Sequence, residues 1–345
     1  MKAFVLYGKG DAHMTTDFPE PSLEPNSVKI AVSYCGLCGT DLHKYEGKGG
    51  SRPVVYPVPL GHEASGVVAE VGENVRDFRP GDRVAVNPNW YCKKCYFCKN
   101  GQNHLCANSK GVVKGFAEYI CPPAENVHKI PDTLSLKHAA LAEPLSCCIH
   151  GMDLLDMKMG QTVAIIGLGS IGSIFLQLCR IAGAANIIVI EPQESKRKLA
   201  EALGATLFLN PSEVDVLEEI HSAGIPNVDR VIECVGFPAT MESALEIAGR
   251  GAVVVLFGLS PSGSSFPFRQ YDAFQKELVI KTSYINPDCT ERAIALLDSD
   301  LFSPEPLISK VLTMEEMEGE LVTRNYFKKG KVLMAVSGQE NGTPI

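Results

Sequence analysis

The chain has 345 residues, a formal net charge of −8, 45% hydrophobic residues and 21% charged residues, which is ordinary for a soluble globular protein. A chain of this length predicts two domains or one large one. The acidic balance argues against binding to nucleic acid, which requires clustered Lys and Arg, and against a polybasic membrane-surface protein. The apolar run at the N-terminus is too short for a signal peptide or a membrane span, so it is predicted to be a first strand.

The twelve cysteines bear on the compartment and on metal binding. In a reducing compartment such a number indicates metal-binding or catalytic thiols rather than disulfides. With no targeting segment recognised, the predicted compartment is the cytoplasm. No membrane or nucleic-acid partner is expected.

The first third of the chain is rich in Gly, Pro and short β-like runs. Residues 28–32, 64–71 and 83–86 are predicted strands, each ended by turn residues. The pattern of this part therefore predicts an irregular β-rich region.

A cysteine-rich loop follows these strands, in the pattern C-x2-C-x2-C-x7-C. Its cysteines are Cys92, Cys95, Cys98 and Cys106. Four thiolates at such short spacing can close a tetrahedral Zn²⁺ site within one loop and leave no position for water. The loop is therefore predicted to hold a structural zinc ion.

Near residue 150 the pattern changes to strands that alternate with helices. Predicted strands lie at 162–166, 186–190, 206–209, 229–234, 252–257 and 278–283, with helices at 171–182, 194–203, 214–223 and 241–248. This alternation predicts an α/β fold with a doubly wound parallel sheet. A helix at 290–298 and a last strand at 331–336 follow.

A glycine-rich loop joins the first of these strands to its helix. Its motif runs from Gly167 through Gly169 and Ile171 to Gly172. Glycines at these positions allow a tight turn, close approach of a pyrophosphate, and close packing of helix on strand. The loop therefore predicts dinucleotide binding.

The next strand ends at Glu191, 19 residues after Gly172. A carboxylate there accepts hydrogen bonds from the ribose hydroxyls and repels a 2′-phosphate, which favours NAD over NADP. Lys196 is a further candidate for contact with the cofactor, since its charge would soften this preference. The alternative is a solvated charge on the helix surface.

Three further motifs carry polar residues that suit a second metal site. They are Cys38-Gly-Thr-Asp-Leu-His43, Gly61-His62-Glu63 and Glu143-Pro144. Each is weak alone, because a single His in a β region is more often a core residue. Together with Pro80-Gly81-Asp82-Arg83-Val84, the four-cysteine loop and the glycine loop, in this order, they resemble the zinc-containing medium-chain dehydrogenase/reductase family. Glu143-Pro144-Leu145 and Ser283-Tyr284-Ile285-Asn286 are similar to its sorbitol (polyol) dehydrogenase branch.

The resemblance implies a catalytic zinc ion in addition to the structural one, and oxidation of a secondary alcohol, such as a polyol, to a ketone with hydride transfer to NAD. The implied zinc ligands are Cys38, His62 and Glu63, with water as the fourth ligand and Glu143 beside that water or exchanging onto the metal. Thr40 would take the substrate proton and His43 would carry it toward solvent. The resemblance also implies a GroES-like catalytic domain formed by residues 1–147 and 286–345, a Rossmann domain formed by 148–285, and a homodimer or homotetramer.

The substrate has alternatives. Lys44-Tyr45 after His43 looks more like threonine dehydrogenase. A sugar-phosphate alcohol is the other alternative, and its phosphate would need a basic residue such as Lys44, Lys48 or Arg52. A non-catalytic nucleotide-binding relative is the remote alternative.

Overall fold

Two structural units make up the chain in the computed structural model, which describes residues 1–48, 54–323 and 330–337. Unit 1 comprises Met1–Ser146, Asn286–Asp300 and Ile308–Ile345, and unit 2 comprises Cys147–Ile285 and Leu301–Leu307. The predicted division assigned 301–307 to the catalytic domain. These residues lie in unit 2 because Gln177 both donates to the carbonyl of Ser303 (3.0 Å) and accepts from its N–H (2.8 Å), while Arg180 donates to the carbonyl of Leu301.

The secondary structure follows the chain in three stretches. The first contains β1 (Ala3–Gly8), β2 (Asp11–Thr15), β3 (Val28–Gly36), α1 (Gly39–Tyr45), β4 (Val58–Pro59), β5 (Glu63–Val71), β6 (Arg83–Val86), β7 (Asn89–Trp90), α2 (Tyr96–Lys99), β8 (Lys110–Gly111), β9 (Tyr119–Ile120), β10 (Val127–Lys129), α3 (Leu136–Ala139) and α4 (Ala142–Leu155). The second contains β11 (Thr162–Ile166), α5 (Ser170–Ile181), β12 (Asn186–Ile190), α6 (Arg197–Leu203), β13 (Leu207–Leu209), α7 (Val216–Ser222), β14 (Arg230–Glu233), α8 (Pro238–Ile247), β15 (Val253–Leu256), α9 (Gln270–Lys276) and β16 (Val279–Thr282). The third contains α10 (Thr290–Leu297), β17 (Ile308–Leu312), α11 (Met314–Thr323) and β18 (Lys331–Ala335).

Unit 1 is organised around a largely antiparallel sheet with the order β10-β6-β5-β3-β18-β17, to which β9 adds by pairing with β3. The C-terminal strand β18 lies against β3, so that Leu333 pairs with Gly36. On the other side of β3, Gly36 pairs with Glu63 of β5. Apolar residues such as Phe4, Ile30 and Phe116 fill the core beneath these strands. The sheet thus brings residues 36, 63 and 331–333 onto neighbouring strands.

Unit 2 contains, within the described residues, a parallel sheet of six strands in the order β13-β12-β11-β14-β15-β16. Every residue of β11, β14 and β15 is buried, as expected for strands covered by helices on both faces. The change of direction between β12 and β14 on either side of β11 makes a crevice at the carboxyl ends of these strands, where nucleotides bind in such sheets. The predicted doubly wound sheet is confirmed.

The sequence patterns predicted most helices and strands of unit 2 but missed several of those in unit 1. Strands β6, β11 and β12 have the predicted bounds, and α6 ends at Gly204, whose φ of +111° suits glycine. The predicted single helix at 194–203 is instead a 3-10 turn (Glu194–Lys196) followed by α6. Helices α1, α2, α3, α4, α9 and α11 were not predicted. Among the described residues, no helix combines the length and apolarity needed to cross a bilayer.

Candidate metal and nucleotide sites

The four-cysteine loop folds its sulfur atoms into one cluster. The ligand atoms of Cys92, Cys95, Cys98 and Cys106 all lie within 4.8 Å of one another. The Sγ of Cys95 lies 3.6 Å from that of Cys98 and 3.9 Å from that of Cys106. A tetrahedral zinc with Zn–S bonds of about 2.3 Å places its sulfurs about 3.8 Å apart, so these cysteines fit the ion.

The surroundings of Cys92 favour its thiolate form, whereas burial and the neighbouring thiols of Cys95 and Cys106 raise the pKa of Cys98 to about 12. The backbone N–H of Lys94 is the main group that lowers the pKa of Cys92 to about 6, which brings the thiolate form into the neutral range that metal binding requires. Asn108 also donates toward the Sγ of Cys92, at 3.7 Å.

A second cluster in unit 1 joins Cys38, His62 and Glu63, whose ligand atoms also lie within 4.8 Å of one another. Cys38 is the residue before α1, and the other two stand where β5 begins, after Gly61 with a φ of +81°. A β-carbon on Gly61 would lie 2.4 Å from the ring of Phe116, so this tight turn excludes side chains. Thiolate, imidazole and carboxylate are zinc ligands. The Oε2 atom of Glu63 is buried without a hydrogen-bond partner among the described residues, as expected of an atom that takes a metal.

The predicted proton-transfer residues lie on the same short helix. The hydroxyl of Thr40, in the first turn of α1, lies 3.8 Å from the Sγ of Cys38. His43 follows three residues later and is partly exposed, so the two side chains share a helix face.

Glu143 stands in the first turn of α4 and is partly buried. Among the described residues, its carboxylate is outside the set that converges within 4.8 Å. Its charge still reaches the site electrostatically: burial opposes the charge of Lys331, but Glu63, Cys38 and Glu143 together raise the pKa of that lysine.

Asp41 is a site residue that the sequence analysis did not identify. It is fully buried, and it accepts hydrogen bonds from the backbone N–H groups of Cys38 and Gly61, both at 3.1 Å. Its Oδ1 lies 3.6 Å from the Nδ1 of His62. Although burial favours the neutral acid, His62 lowers the pKa of Asp41 to about 2. Asp41 therefore ties both ligand segments together as an anion and leaves the other nitrogen of His62 for a metal. The signal was available, because an Asp three residues after Cys38 suits a reciprocal cap of α1.

The glycine loop of unit 2 has the geometry that its three glycines require. Gly167 has a φ of +90°, and a β-carbon there would lie 2.5 Å from a methyl of Val235. A β-carbon on Gly172 would lie 1.9 Å from the carbonyl of Gly167, whereas one on Gly169 would meet nothing within 4 Å. The open space at Gly169 is where a pyrophosphate would approach the N-terminus of α5. Ile171 is half-buried in the first turn of that helix.

The Glu191 carboxylate already accepts three hydrogen bonds from within the protein. It is buried, and it accepts hydrogen bonds from Leu168 N–H (2.8 Å), Gln193 N–H (3.1 Å) and the Lys196 ammonium (3.1 Å). A carboxylate offers about four acceptor positions, so one remains. Glu191 therefore also orders the glycine loop, and Lys196 offsets part of its charge.

A second missed residue is Glu233, at the carboxyl end of β14. Its buried Oε1 accepts hydrogen bonds from Val235 N–H, Gly236 N–H and the Thr240 hydroxyl, each at 2.8 Å. These bonds hold Val235 against Gly167. A Glu three residues before a glycine is a weak signal in sequence, because only the fold shows that the turn at Val235-Gly236 faces the glycine loop.

Comparisons with known proteins agree with this geometry. Residues 24–132 match the family model described as alcohol dehydrogenase GroES-like domain, and residues 170–299 match the model described as zinc-binding dehydrogenase. Sorbitol dehydrogenase from Bacillus subtilis (strain 168) is 33% identical over 95% of this chain and 94% of its own length. L-Threonine 3-dehydrogenase from Pyrococcus furiosus is 37% identical over 75% of each chain. A crystal structure described as a zinc-binding dehydrogenase from Sinorhizobium meliloti 1021, bound to NADP, has a TM-score of 0.90 and 36% identity, with 97% of this chain and 99% of that chain covered.

Proposed function

The chain belongs to the zinc-containing medium-chain dehydrogenase/reductase family, and from this premise we propose that it oxidises a secondary alcohol of a polyol to a ketone and passes the hydride to NAD. It is a zinc- and NAD(P)-dependent oxidoreductase with a GroES-like domain and a Rossmann domain. The observation that carries the proposal is the convergence of Cys38, His62 and Glu63 beside the hydroxyl of Thr40.

In the proposed mechanism, Cys38, His62 and Glu63 hold the catalytic zinc. When bound, zinc supplies a Lewis acid that makes an alcohol hydroxyl acidic enough to ionise near neutral pH. The Thr40 hydroxyl is close enough to the ligand set to take that proton, and His43, one turn further and partly exposed, passes it toward solvent.

The bound nicotinamide supplies the hydride acceptor, and the chain contributes its position. In unit 2 the open approach at Gly169 and the N-terminus of α5 would hold the pyrophosphate. The second zinc is assigned to Cys92, Cys95, Cys98 and Cys106. Since all four ligand positions there are filled by sulfur, its role is structural.

NAD is the proposed cofactor in preference to NADP. Glu191 keeps an acceptor position for a ribose hydroxyl, and its buried carboxylate opposes a 2′-phosphate. The Lys196 ammonium, 3.1 Å from Glu191, would lie beside the same ribose.

A polyol is favoured as substrate because a sorbitol dehydrogenase is 33% identical over 95% of this chain and an L-idonate 5-dehydrogenase is 32% identical over 87% of it. L-Threonine remains the second candidate, supported by threonine dehydrogenases that are 37% identical over 75% of the chain and 30% identical over 97% of it. A phosphorylated polyol is the third candidate, since a galactitol-1-phosphate dehydrogenase from Escherichia coli is 30% identical over 97% of this chain, but the expected cations give it little support. The Lys48 ammonium pairs with Glu46 at 2.8 Å, and Arg52 lies outside the described residues.

The testing experiment follows NADH formation by the zinc-loaded enzyme with sorbitol, xylitol, arabitol, 2,3-butanediol, L-threonine and a hexitol phosphate. We expect turnover of an unphosphorylated polyol, abolished by chelation and by Cys38→Ser. The matched control is Cys121→Ser, a cysteine of unit 1 outside both metal clusters. Turnover of threonine or the phosphate alone would reject the polyol but keep the chemistry, and activity in Cys38→Ser would reject the zinc site.

A homo-oligomer, dimer or tetramer, is proposed from the free edge of the unit 2 sheet. Strand β16 ends the sheet, and its neighbouring residues Val279 and Ile280, which point to opposite faces, are 45% and 36% exposed. Tyr271 and Phe274 of α9 are 66% and 71% exposed. An apolar edge of this kind is a template for pairing with a second copy across a twofold axis. The reducing cytoplasm is the proposed compartment, supported by twelve cysteines without a disulfide.

A further inference from the structure

A buried ion pair joins the candidate metal site to the last strand of the chain. The Nζ of Lys331, the first residue of β18, donates to the Oε1 of Glu63, the first residue of β5. Lys331 is 6% exposed and Glu63 is 1% exposed. Both groups are out of water, so the pair has a defined geometry rather than the loose one of a surface salt bridge.

Glycine at position 36 makes room for this pair. Strand β3 lies between β5 and β18, and its last residue, Gly36, is paired with Glu63 on one side and with Leu333 on the other. A β-carbon built on Gly36 would lie 1.8 Å from Glu63 Oε2 and 2.9 Å from Lys331 Cε. Any side chain at position 36 would therefore displace the carboxylate, the lysine or both.

The two carboxylate oxygens of Glu63 differ in their hydrogen bonding. Oε1 is held by Lys331, whereas Oε2 is buried and has no hydrogen-bond partner among the described residues. Glu63 also belongs to the cluster whose ligand atoms lie within 4.8 Å of one another, and Glu143 is outside it.

We propose that Lys331 is a positioning residue that holds Glu63 across Gly36, so that the oxygen of Glu63 without a hydrogen bond is directed to the metal. This inference rests on the proposed assignment of Cys38, His62 and Glu63 to the catalytic zinc. Lys331 acts through Glu63, in the way that carboxylates and carbonyls orient metal-binding histidines.

A lysine that competes with the metal for Glu63 and a lysine that orients Glu63 predict opposite changes in zinc affinity. If Lys331 competed with the metal for the carboxylate, its removal would free Glu63 and tighten zinc binding. If Lys331 orients Glu63, its removal weakens zinc binding, because the carboxylate loses its only hydrogen bond among the described residues.

The experiment measures the zinc dissociation constant of the catalytic site by chelator competition on the full-length protein, and follows the visible spectrum of the Co²⁺-substituted enzyme. Lys331→Met is expected to weaken zinc binding by about tenfold or more and to change the cobalt spectrum, with Lys331→Arg restoring part of the affinity. The control is Lys310→Met, which removes another lysine–glutamate pair of unit 1, at 2.8 Å from Glu320. Tighter or unchanged zinc binding in Lys331→Met would overturn the inference.

A double-mutant cycle with Glu63→Gln separates this inference from the proposed function. We expect Lys331→Met to have no further effect on zinc affinity once Glu63 is Gln. The double variant also removes both charges, so it tests the coupling even if Lys331→Met alone, with its unpaired buried carboxylate, does not fold. If Glu63→Gln itself leaves zinc affinity unchanged, the assigned zinc site is wrong. If Glu63→Gln weakens zinc and the effect of Lys331→Met persists beside it, only the positioning role fails.

Discussion

At the scale of single residues, the candidate catalytic site depends on a buried carboxylate that is not itself a predicted metal ligand. Asp41 holds the backbone of Cys38 and of Gly61 in one arrangement, and it remains ionised although it is completely buried. The two ligand segments are 20 residues apart in sequence, and one side chain fixes their relative position. Metal affinity should therefore be sensitive to a residue that need not touch the metal.

Asp41→Asn is predicted to weaken binding of the catalytic zinc by about 10- to 100-fold, because the amide keeps the shape but loses the charge that faces His62. Zinc content after dialysis against a mild chelator measures this, with a fall from two ions per chain toward one. Asp82→Asn is the control, since that carboxylate pairs with Lys129 at a turn of the same unit. Retention of both ions in Asp41→Asn would contradict the role of its charge.

Glu191 is the proposed determinant of the choice between NAD and NADP at the same scale. Glu191→Ala is predicted to raise the NADP/NAD ratio of kcat/KM by about tenfold or more, equivalent to ~1.4 kcal/mol, because the charge that repels a 2′-phosphate is removed while Lys196 remains. Steady-state kinetics with both cofactors provide the measurement. Glu194→Ala removes a nearby exposed carboxylate that pairs with Arg197 and should leave the ratio unchanged. An equal change of this ratio in both variants would show that the general negative charge of this region, and not the position of Glu191, determines the cofactor preference.

At the scale of elements, each site is made where a strand or helix begins or ends. Helix α1 begins after Cys38 and presents Thr40 and His43, while β5 begins with Glu63. In unit 2, the ends of β11, β12 and β14 carry the glycine loop, Glu191 and Glu233. The carboxyl ends of parallel strands lie at one edge of the sheet, so the side chains there are available for ligands or for one another.

Glu233→Ala is predicted to raise the Kd for NADH by about tenfold or more, because three hydrogen bonds that hold the loop after β14 are lost together. Protein fluorescence quenched by NADH measures the affinity. Thr240→Val removes only one of the three bonds and should have a smaller effect in the same direction. The assigned role would be wrong if Glu233→Ala lowered the melting temperature and left the NADH affinity as it was.

At the scale of the whole molecule, each unit has its own sheet, core and site. The antiparallel sheet of unit 1 is completed by the C-terminal strand β18, and the parallel sheet of unit 2 ends at the apolar edge β16. Strand β18 contributes to a candidate site, whereas strand β16 forms an edge of its sheet. Pairing of β18 with β3 brings Lys331 to the candidate metal site, whereas β16 leaves exposed apolar groups at the edge where we propose that a second copy of the chain binds.

Ile280→Lys is predicted to reduce the oligomer to a smaller species, because a charge would be buried where two copies of β16 meet. Light scattering coupled to gel filtration gives the mass. Val311→Lys places the same charge on β17, the edge strand of the other sheet, at a residue of similar exposure (43%), and should leave the mass unchanged. A monomeric wild-type protein, or the reverse response of the two variants, would reject β16 as the interface.

Local patterns were sufficient to predict the features that depend on neighbours in sequence. The strand–glycine loop–helix motif predicted the dinucleotide loop. The alternation of strands and helices predicted the parallel sheet, and the spacing of four cysteines predicted a single sulfur cluster. In the dinucleotide loop and the sulfur cluster the interacting groups lie within about 20 residues, so that backbone geometry nearly determines their meeting.

Only the tertiary structure decided the features that depend on long-range pairing. The contact of Lys331 with Glu63 spans 268 residues and requires β18 to return beside β3, which no local periodicity encodes. The same holds for Gly36, whose importance comes from two side chains of other strands, and for residues 301–307, which join unit 2 through Gln177. Sequence alone therefore determined the family and predicted the two kinds of site with their candidate ligand residues. The fold decided which buried charges hold those ligands in place, because such charges are paired across strands that are adjacent only in space.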